Sequence, residues 1–136
     1  LFPVEARALY GYLGENVRIL ERRFPNLKII YLSSRTYGGY ATTPLNPEPH
    51  AYESAFSVKW LIADRVAGRL KRPWLAWGPY LWADGVRGRG DGLAYLREDF
   101  ENDGTHPSMA GRAKVAKLLL DFLKADATAR PWFVKN

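Results

Sequence analysis

An acid and a histidine lie three residues apart in the segment Asn102-Asp103-Gly104-Thr105-His106-Pro107-Ser108. An aspartate at this spacing can hold one imidazole nitrogen while the other nitrogen faces outward. Such a carboxylate fixes the tautomer of the ring and stabilises its protonated form, which a general base requires. Histidine suits the role because an unperturbed imidazole changes charge near neutral pH. We therefore predict Asp103 and His106 as catalytic residues, with Asp103 orienting the base.

The same segment also has a purely structural interpretation. Proline is preorganised for the first position of a helix, so a helix is predicted to begin at Pro107. Asp103 and Thr105 could cap that helix, and His106 would then be an ordinary residue at its start. The spacing alone does not separate the two interpretations.

The wider context of the pair resembles a known family. Asp-Gly-Thr-His-Pro-Ser over 103–108, followed by Gly111-Arg112 and an apolar helix over 113–123, is similar to the last motif of the SGNH (GDSL-type) hydrolases. The resemblance implies that Asp103 orients His106 and that His106 activates a serine. It also implies ester hydrolysis by covalent acyl transfer, on small esters or O-acyl groups of carbohydrates, with no cofactor and no metal. The resemblance slightly favours a secreted or periplasmic location.

The chain departs from that family at the nucleophile. The family's Gly-Asp-Ser type block, its oxyanion-hole glycine and its Gly-x-Asn-Asp type block are not found, and the chain starts at Leu1 with Met109 as its single methionine. We expect residues 1–136 to form a single domain, the C-terminal portion of an SGNH-hydrolase-like domain. Its expected partner is the missing N-terminal half or a second copy of the chain. The alternative is a non-catalytic fragment or binding module that lacks the nucleophile.

Helices and strands alternate along the chain and must position the pair. Apolar residues recur at spacings of three and four over 4–24 and 52–68, which predicts helices there as well as after Pro107. Apolar runs over 27–32 and 74–77 predict strands, the first of them buried on both faces. This order favours an α/β fold, a three-layer α/β/α arrangement with a mostly parallel sheet, of the flavodoxin-like type that the resemblance implies. Two strands are fewer than the four to six of a typical sheet, so we expect the sheet to be incomplete.

Three further stretches lie around these elements. The apolar face of the last helix is predicted to consist of Ala113, Ala116, Leu119, Leu120 and Leu123. In the tail beyond Asp126, we expect Trp132 and Phe133 to dock on the body of the protein. Residues 36–50 contain two glycines and three prolines, which predicts a long irregular loop.

Aromatic and hydroxyl side chains follow both predicted strands. The aromatic rings of 37–43 and 77–82 could form a platform for a sugar ring or an acyl group. We predict Tyr40 and Trp82 as substrate contacts, with packing in the core as the alternative. Ser33 and Ser34 follow the first strand, at the edge where active sites of open α/β sheets collect, so either could serve as a nucleophile. We interpret them instead as residues that only end the strand and start the loop.

Composition narrows the classes of function. The absence of cysteine excludes disulfides, thiolate catalysis and cysteine-ligated zinc, and two histidines argue against a closed transition-metal site. The net charge is +6, with basic residues dense near 65–72 and 87–89. No continuous basic face appears, so we interpret the charge as solvating and predict no nucleic-acid partner, with salt-sensitive nucleic-acid binding as a third hypothesis. No apolar run approaches the ~20 residues that span a bilayer, and no membrane partner is predicted.

Overall fold

The computed structural model describes residues 2–42 and 50–134. These residues have a mixed α/β structure, which confirms the class predicted from the order of elements. The chain divides into two compact units. The first unit consists of Leu1–Arg35 and Glu48–Tyr80, and the second of Thr36–Pro47 and Leu81–Asn136. The loop predicted over 36–50 falls inside the described residues at 36–42 and at His50, where α2 begins.

The first unit contains two helices and two strands: α1 at Val4–Arg23, β1 at Ile29–Leu32, α2 at His50–Val66 and β2 at Trp74–Trp77. All four were predicted from apolar spacing, within two residues at each end. α1 ends before Pro25, because a proline pushes the residue before it out of the helical conformation. α2 is followed by Gly68, whose φ of +75° is the left-handed conformation that commonly follows a helix end.

Strands β1 and β2 pair in parallel and share one buried face. Ile30 lies opposite Leu75 and Leu32 opposite Trp77 in the register. Ile30, Leu32 and Leu75 pack with Val17 of α1 and Leu61 of α2 in the core of the unit. Every residue of β1 is only half-buried, so the prediction that this strand is buried on both faces is wrong. The physical reason is that β1 and β2, within the part of the chain that the structure describes, form a two-stranded sheet, in which each strand is an edge strand.

The second unit is built largely from irregular segments packed around a small core. A 3₁₀ turn at Arg97–Asp99 is followed by helix α3 at Met109–Ala125 and the single-turn helix α4 at Arg130–Phe133. Buried Ala83, Tyr95 and Phe100 form the core, with Tyr40 and Leu93 packed against them. These irregular segments, rather than a sheet, therefore support the acid–histidine segment.

Helix α3 begins later than the sequence predicts. Pro107 forms an isolated antiparallel bridge with Phe100, so its backbone is extended, and the helix starts at Met109. Ser108 is the N-cap residue, and its side chain accepts a hydrogen bond from the Gly111 N–H. The interpretation of Asp103 and Thr105 as helix caps is therefore wrong.

The apolar surface of the second unit also differs from prediction. On α3 only Gly111 is fully buried, while Leu119 and Leu120 of the predicted apolar face are 46% and 42% exposed. In the tail, Trp132 is 59% exposed, so the expectation that Trp132 and Phe133 dock on the body is wrong. Trp132 instead bonds locally, because its indole N–H donates to the Thr128 carbonyl 3.0 Å away. Among the described residues, no helix is long and apolar enough to cross a membrane.

A pair of valines on α2 tests the assigned core. Val58 is 5% exposed and Val66 is 71% exposed. We expect Val58→Ala to lower the free energy of unfolding by about 2 kcal/mol, because it removes buried methyl groups and leaves a cavity. Val66→Ala should change it by less than about 0.5 kcal/mol. Urea denaturation of both variants is the measurement, and equal losses would contradict the assignment of the core.

Candidate active site

The structure brings the predicted acid and base together. Asp103 Oδ2 lies 2.5 Å from His106 Nδ1. The other carboxylate oxygen, Oδ1, accepts hydrogen bonds from the backbone N–H groups of Thr105 at 2.9 Å and His106 at 3.0 Å. One oxygen thus fixes the backbone turn and the other fixes the imidazole ring. The side chain of an aspartate in a turn commonly accepts a hydrogen bond from the backbone N–H two residues later. The bond from the Thr105 N–H to Asp103 could therefore have been predicted from the sequence.

This arrangement determines which imidazole nitrogen can react. With Nδ1–H donating to Asp103, the Nε2 atom of His106 carries the free lone pair and can accept a proton. The His106 side chain is 77% exposed, and no described residue forms a hydrogen bond with Nε2. The ring therefore offers an oriented basic nitrogen to solvent.

The charge of Asp103 is set by the same contacts. The hydrogen bond from the His106 ring, followed by those from the backbone N–H groups of His106 and Thr105, lowers the pKa of Asp103 from 3.8 to about 2. The carboxylate is consequently ionised throughout the ordinary pH range. An anion at this position stabilises an imidazolium that forms when the ring takes up a proton.

Arg97 holds the backbone that leads into the pair. Its guanidinium donates to three consecutive carbonyls: those of Phe100 at 3.2 Å, Glu101 at 3.0 Å and Asn102 at 2.9 Å. A planar guanidinium with several donors can hold adjacent acceptors in a way that an ammonium group cannot. Sequence reasoning missed Arg97, because an arginine six residues before an aspartate in an irregular segment forms no recognisable pattern.

Backbone hydrogen bonds close the loop that contains Asp103. The Glu101 N–H donates to the His106 carbonyl at 2.7 Å, and the Gly104 N–H donates to the Glu101 carbonyl at 2.9 Å. Gly104 has a φ of +65°, and a Cβ atom there would collide with the carbonyl oxygen of Tyr40. Only glycine combines this backbone conformation with such a close approach.

Thr42 docks directly on Asp103. Both the backbone N–H and the side-chain Oγ1 of Thr42 donate to the Asp103 carbonyl, at 3.2 Å and 3.1 Å. Asp103 is therefore fixed through its carbonyl as well as through both carboxylate oxygens. Thr42 is a second residue that sequence reasoning missed, since 61 positions separate the partners.

An ion pair with a buried carboxylate connects this loop to α3. Asp99 is 2% exposed and accepts a hydrogen bond from the Leu96 N–H at 2.7 Å. Its carboxylate also pairs with Lys114, whose ammonium donates to the Ala94 carbonyl at 3.2 Å. Gly111 lies so close to the Asp99 carbonyl that a side chain would not fit between them. A buried carboxylate such as Asp99 needs these bonds to offset its desolvation, and once satisfied it specifies how the elements meet.

The serine of this unit does not pair with the histidine. Ser108 is the only serine among residues of the second unit. Its hydroxyl donates to the Glu98 carbonyl at 2.6 Å and accepts from the Gly111 N–H at 3.4 Å. Ser33 is exposed and Ser34 is 5% exposed, and both belong to the first unit.

The two predicted substrate contacts have structural partners. Tyr40 packs against Phe100, with ring centroids 6.0 Å apart, and its hydroxyl donates to the Tyr95 carbonyl at 3.0 Å. Trp82 stacks on Tyr37, with centroids 6.1 Å apart and planes at 14°. Trp82 also lines an open cleft together with Asp84, Arg87, Gly88 and Arg89. Contact of Tyr40 and Trp82 with a substrate stays a prediction.

Comparison of the chain with protein-family models, curated proteins and solved structures gives no significant match. Among the described residues, no group of three or more histidine and carboxylate side chains is placed to hold a metal ion. The class of protein must therefore be argued from the Asp103–His106 geometry.

Titration of Asp103 tests the electrostatics of the pair. Its folded-state pKa of about 2 lies below the ordinary 3.8, so the pair's contribution to stability is fully present above about pH 4. That contribution is lost as the pH falls through 2. Carboxyl-carbon NMR should give a midpoint near 2 for Asp103, and His106→Ala should raise it toward 3.8 because the ring hydrogen bond is the largest cause. A midpoint near 3.8 in the unaltered protein would contradict the geometry.

Substitution of Arg97 tests how the loop is held. We expect Arg97→Lys to increase amide hydrogen exchange over residues 101–106 and to lower the free energy of unfolding by about 1 kcal/mol, since an ammonium cannot serve three carbonyls at once. Arg87→Ala is the matched control, because Arg87 is an exposed arginine of the same unit whose backbone N–H bonds to the Asp84 carbonyl. Unchanged exchange in Arg97→Lys would show that the guanidinium does not hold the loop.

Proposed function

We propose that the second unit carries the acid–base part of an SGNH-type serine ester hydrolase. In this proposal His106 is the general base and Asp103 orients it. The observation that supports the proposal most directly is the 2.5 Å contact between Asp103 Oδ2 and His106 Nδ1, with the imidazole otherwise exposed. The proposed substrates are acyl esters, including O-acyl groups of carbohydrates.

The proposed reaction proceeds in two steps. Nε2 of His106 takes the proton of a serine hydroxyl while the serine oxygen bonds to the ester carbonyl carbon, and the resulting imidazolium returns that proton to the departing alcohol. Water then attacks the acyl-serine with the same histidine as base, which releases the acid and restores the serine. The Asp103 carboxylate stabilises the imidazolium in both steps, and its pKa of about 2 keeps it anionic.

The rigid setting of the pair supports a catalytic role. A catalytic constellation works when its groups are held in place before the substrate arrives. Asp103 is bonded through its carbonyl oxygen and both carboxylate oxygens, while Arg97 holds the three preceding carbonyls.

The nucleophile is proposed to come from outside the second unit. A serine hydroxyl must lie within about 3 Å of Nε2 to be activated, and Ser108 is committed to capping α3. We propose a segment beyond these 136 residues, or a second copy of the chain, as its source. The same proposal includes a three-layer flavodoxin-like arrangement, in which further strands pair along the open edges of β1 and β2.

A non-catalytic binding module is the second candidate. It is favoured by the capping role of Ser108 and by the packing of Tyr40 in the core of the second unit. In that case the Asp103–His106 contact stabilises the loop between residues 100 and 107 and has no role in acid–base chemistry.

Ester hydrolysis by the exact polypeptide tests the version of the proposal in which a second copy of the chain supplies the serine. With p-nitrophenyl acetate, that version predicts turnover, which His106→Ala should lower at least about 100-fold and Asp103→Asn by a similar factor or more. His50→Ala is the matched control, because it removes the other histidine of the chain and should leave turnover unchanged.

A fluorophosphonate probe read by mass spectrometry would identify the nucleophile. Labelling of one serine that is lost in His106→Ala would support the hydrolase. Turnover that survives His106→Ala would contradict the role of the base. No turnover together with no labelled serine would exclude a second copy as the source of the serine, and these 136 residues on their own would then be a non-catalytic module.

A further inference from the structure

One face of α2 carries an aromatic stripe that ends in a lysine. Tyr52, Ala55, Phe56 and Lys59 have the spacing of residues that share a helix face, and they line an open cleft in the first unit. Seven residues of helix rise place Lys59 about 10 Å along the axis from Tyr52. Ala55 leaves room between the two larger rings of the stripe.

The opposite wall of the cleft comes from the end of β2 and the residues after it. Trp77 and Tyr80 line this wall, and the space between the walls, counted together with the solvent at its open side, is about 440 Å³. Their rings meet edge to face, with centroids 6.0 Å apart and planes at 80°. On the helix side, Tyr52 and Phe56 meet in the same way, at 5.8 Å and 78°. The cleft therefore presents ring faces and ring edges at right angles to each other.

The aromatic walls are held before any ligand arrives. Behind the cleft, Phe56 packs against Trp60 at 6.0 Å and against Phe2 at 5.1 Å. Trp77 belongs to β2 and is paired with Leu32 of β1. A rigid aromatic wall loses little conformational entropy on binding, which is the usual origin of affinity in a preorganised site.

Among the described residues that line the cleft, Lys59 is the only charged side chain. Tyr52 is 48% exposed, so about half of this side chain is open to solvent. Lys59 is exposed, and no described carboxylate lies within ion-pair distance of it. The surface that a ligand would meet is thus aromatic along most of its length and cationic at one end.

We propose that this cleft binds a saccharide that bears a carboxylate. The C–H face of a sugar ring packs on the aromatic walls, and the carboxylate pairs with Lys59 in a charge-assisted contact. In an open cleft the hydroxyl groups of the sugar stay in contact with water. A hydrocarbon chain in the same cleft would leave much of its apolar surface exposed to water, so burial would contribute little to its free energy of binding. The site lies in the first unit and does not depend on the proposed hydrolase activity.

Calorimetric titration with a short hexuronate oligosaccharide is the test. We expect it to bind more tightly than a neutral oligosaccharide of equal length and more tightly than octanoate, with affinity that falls as salt is added. Lys59→Gln should weaken hexuronate binding about fivefold and leave neutral-sugar binding unchanged. Tyr52→Ala should weaken the binding of both sugars about tenfold.

Two substitutions of the same types outside the cleft serve as controls. Lys71→Gln and Tyr12→Ala remove an exposed lysine and a 71% exposed tyrosine of the first unit, and both should leave binding unchanged. Equal loss of affinity in Lys59→Gln and Lys71→Gln would overturn the charge contact. Tighter binding of octanoate would overturn the saccharide assignment, and no binding of any of the three probes would overturn the site.

Discussion

The Asp103 carboxylate forms the contact on which both the turn and the orientation of His106 in the second unit depend. Oδ1 accepts hydrogen bonds from two backbone N–H groups, and Oδ2 contacts the imidazole. One carboxylate therefore fixes both the conformation of the turn and the orientation of His106. A carboxylate shared in this way stays ionised, because each donor stabilises the charged form. The same anion that orders the loop is therefore available to stabilise an imidazolium.

Close approaches of backbone make that contact possible. At Gly104 the loop meets the Tyr40 carbonyl, and at Gly111 the start of α3 meets the Asp99 carbonyl. The ion pair between buried Asp99 and partly exposed Lys114 then ties the loop to the second turn of α3. Two glycines and one ion pair thus hold the loop that carries Asp103 and His106.

The elements of the first unit were predictable because their apolar spacing is local information. Trp74–Trp77 is the strand that the sequence predicts, and the bounds of α1 and α2 differ from prediction by at most two residues. The start of α3 was not predictable in this way, because Pro107 fits a helix start but pairs with Phe100 instead. The pairing of Asp103 with His106 was visible in their spacing, whereas the Arg97 and Thr42 contacts depend on how distant backbone segments meet.

Exposure of the imidazole sets a condition on the proposed hydrolase. The imidazolium and the oxyanion that form during the reaction are stabilised most when the site excludes water. Electrostatic contacts are stronger in a low dielectric. His106 is 77% exposed in this chain, and Leu119 and Leu120 of α3 in the same unit are exposed as well. A surface that supplied the serine would have to cover the imidazole as well. The proposal therefore requires one partner surface to contribute both the nucleophile and the exclusion of water, and a serine delivered by a solvated, flexible segment would not satisfy it.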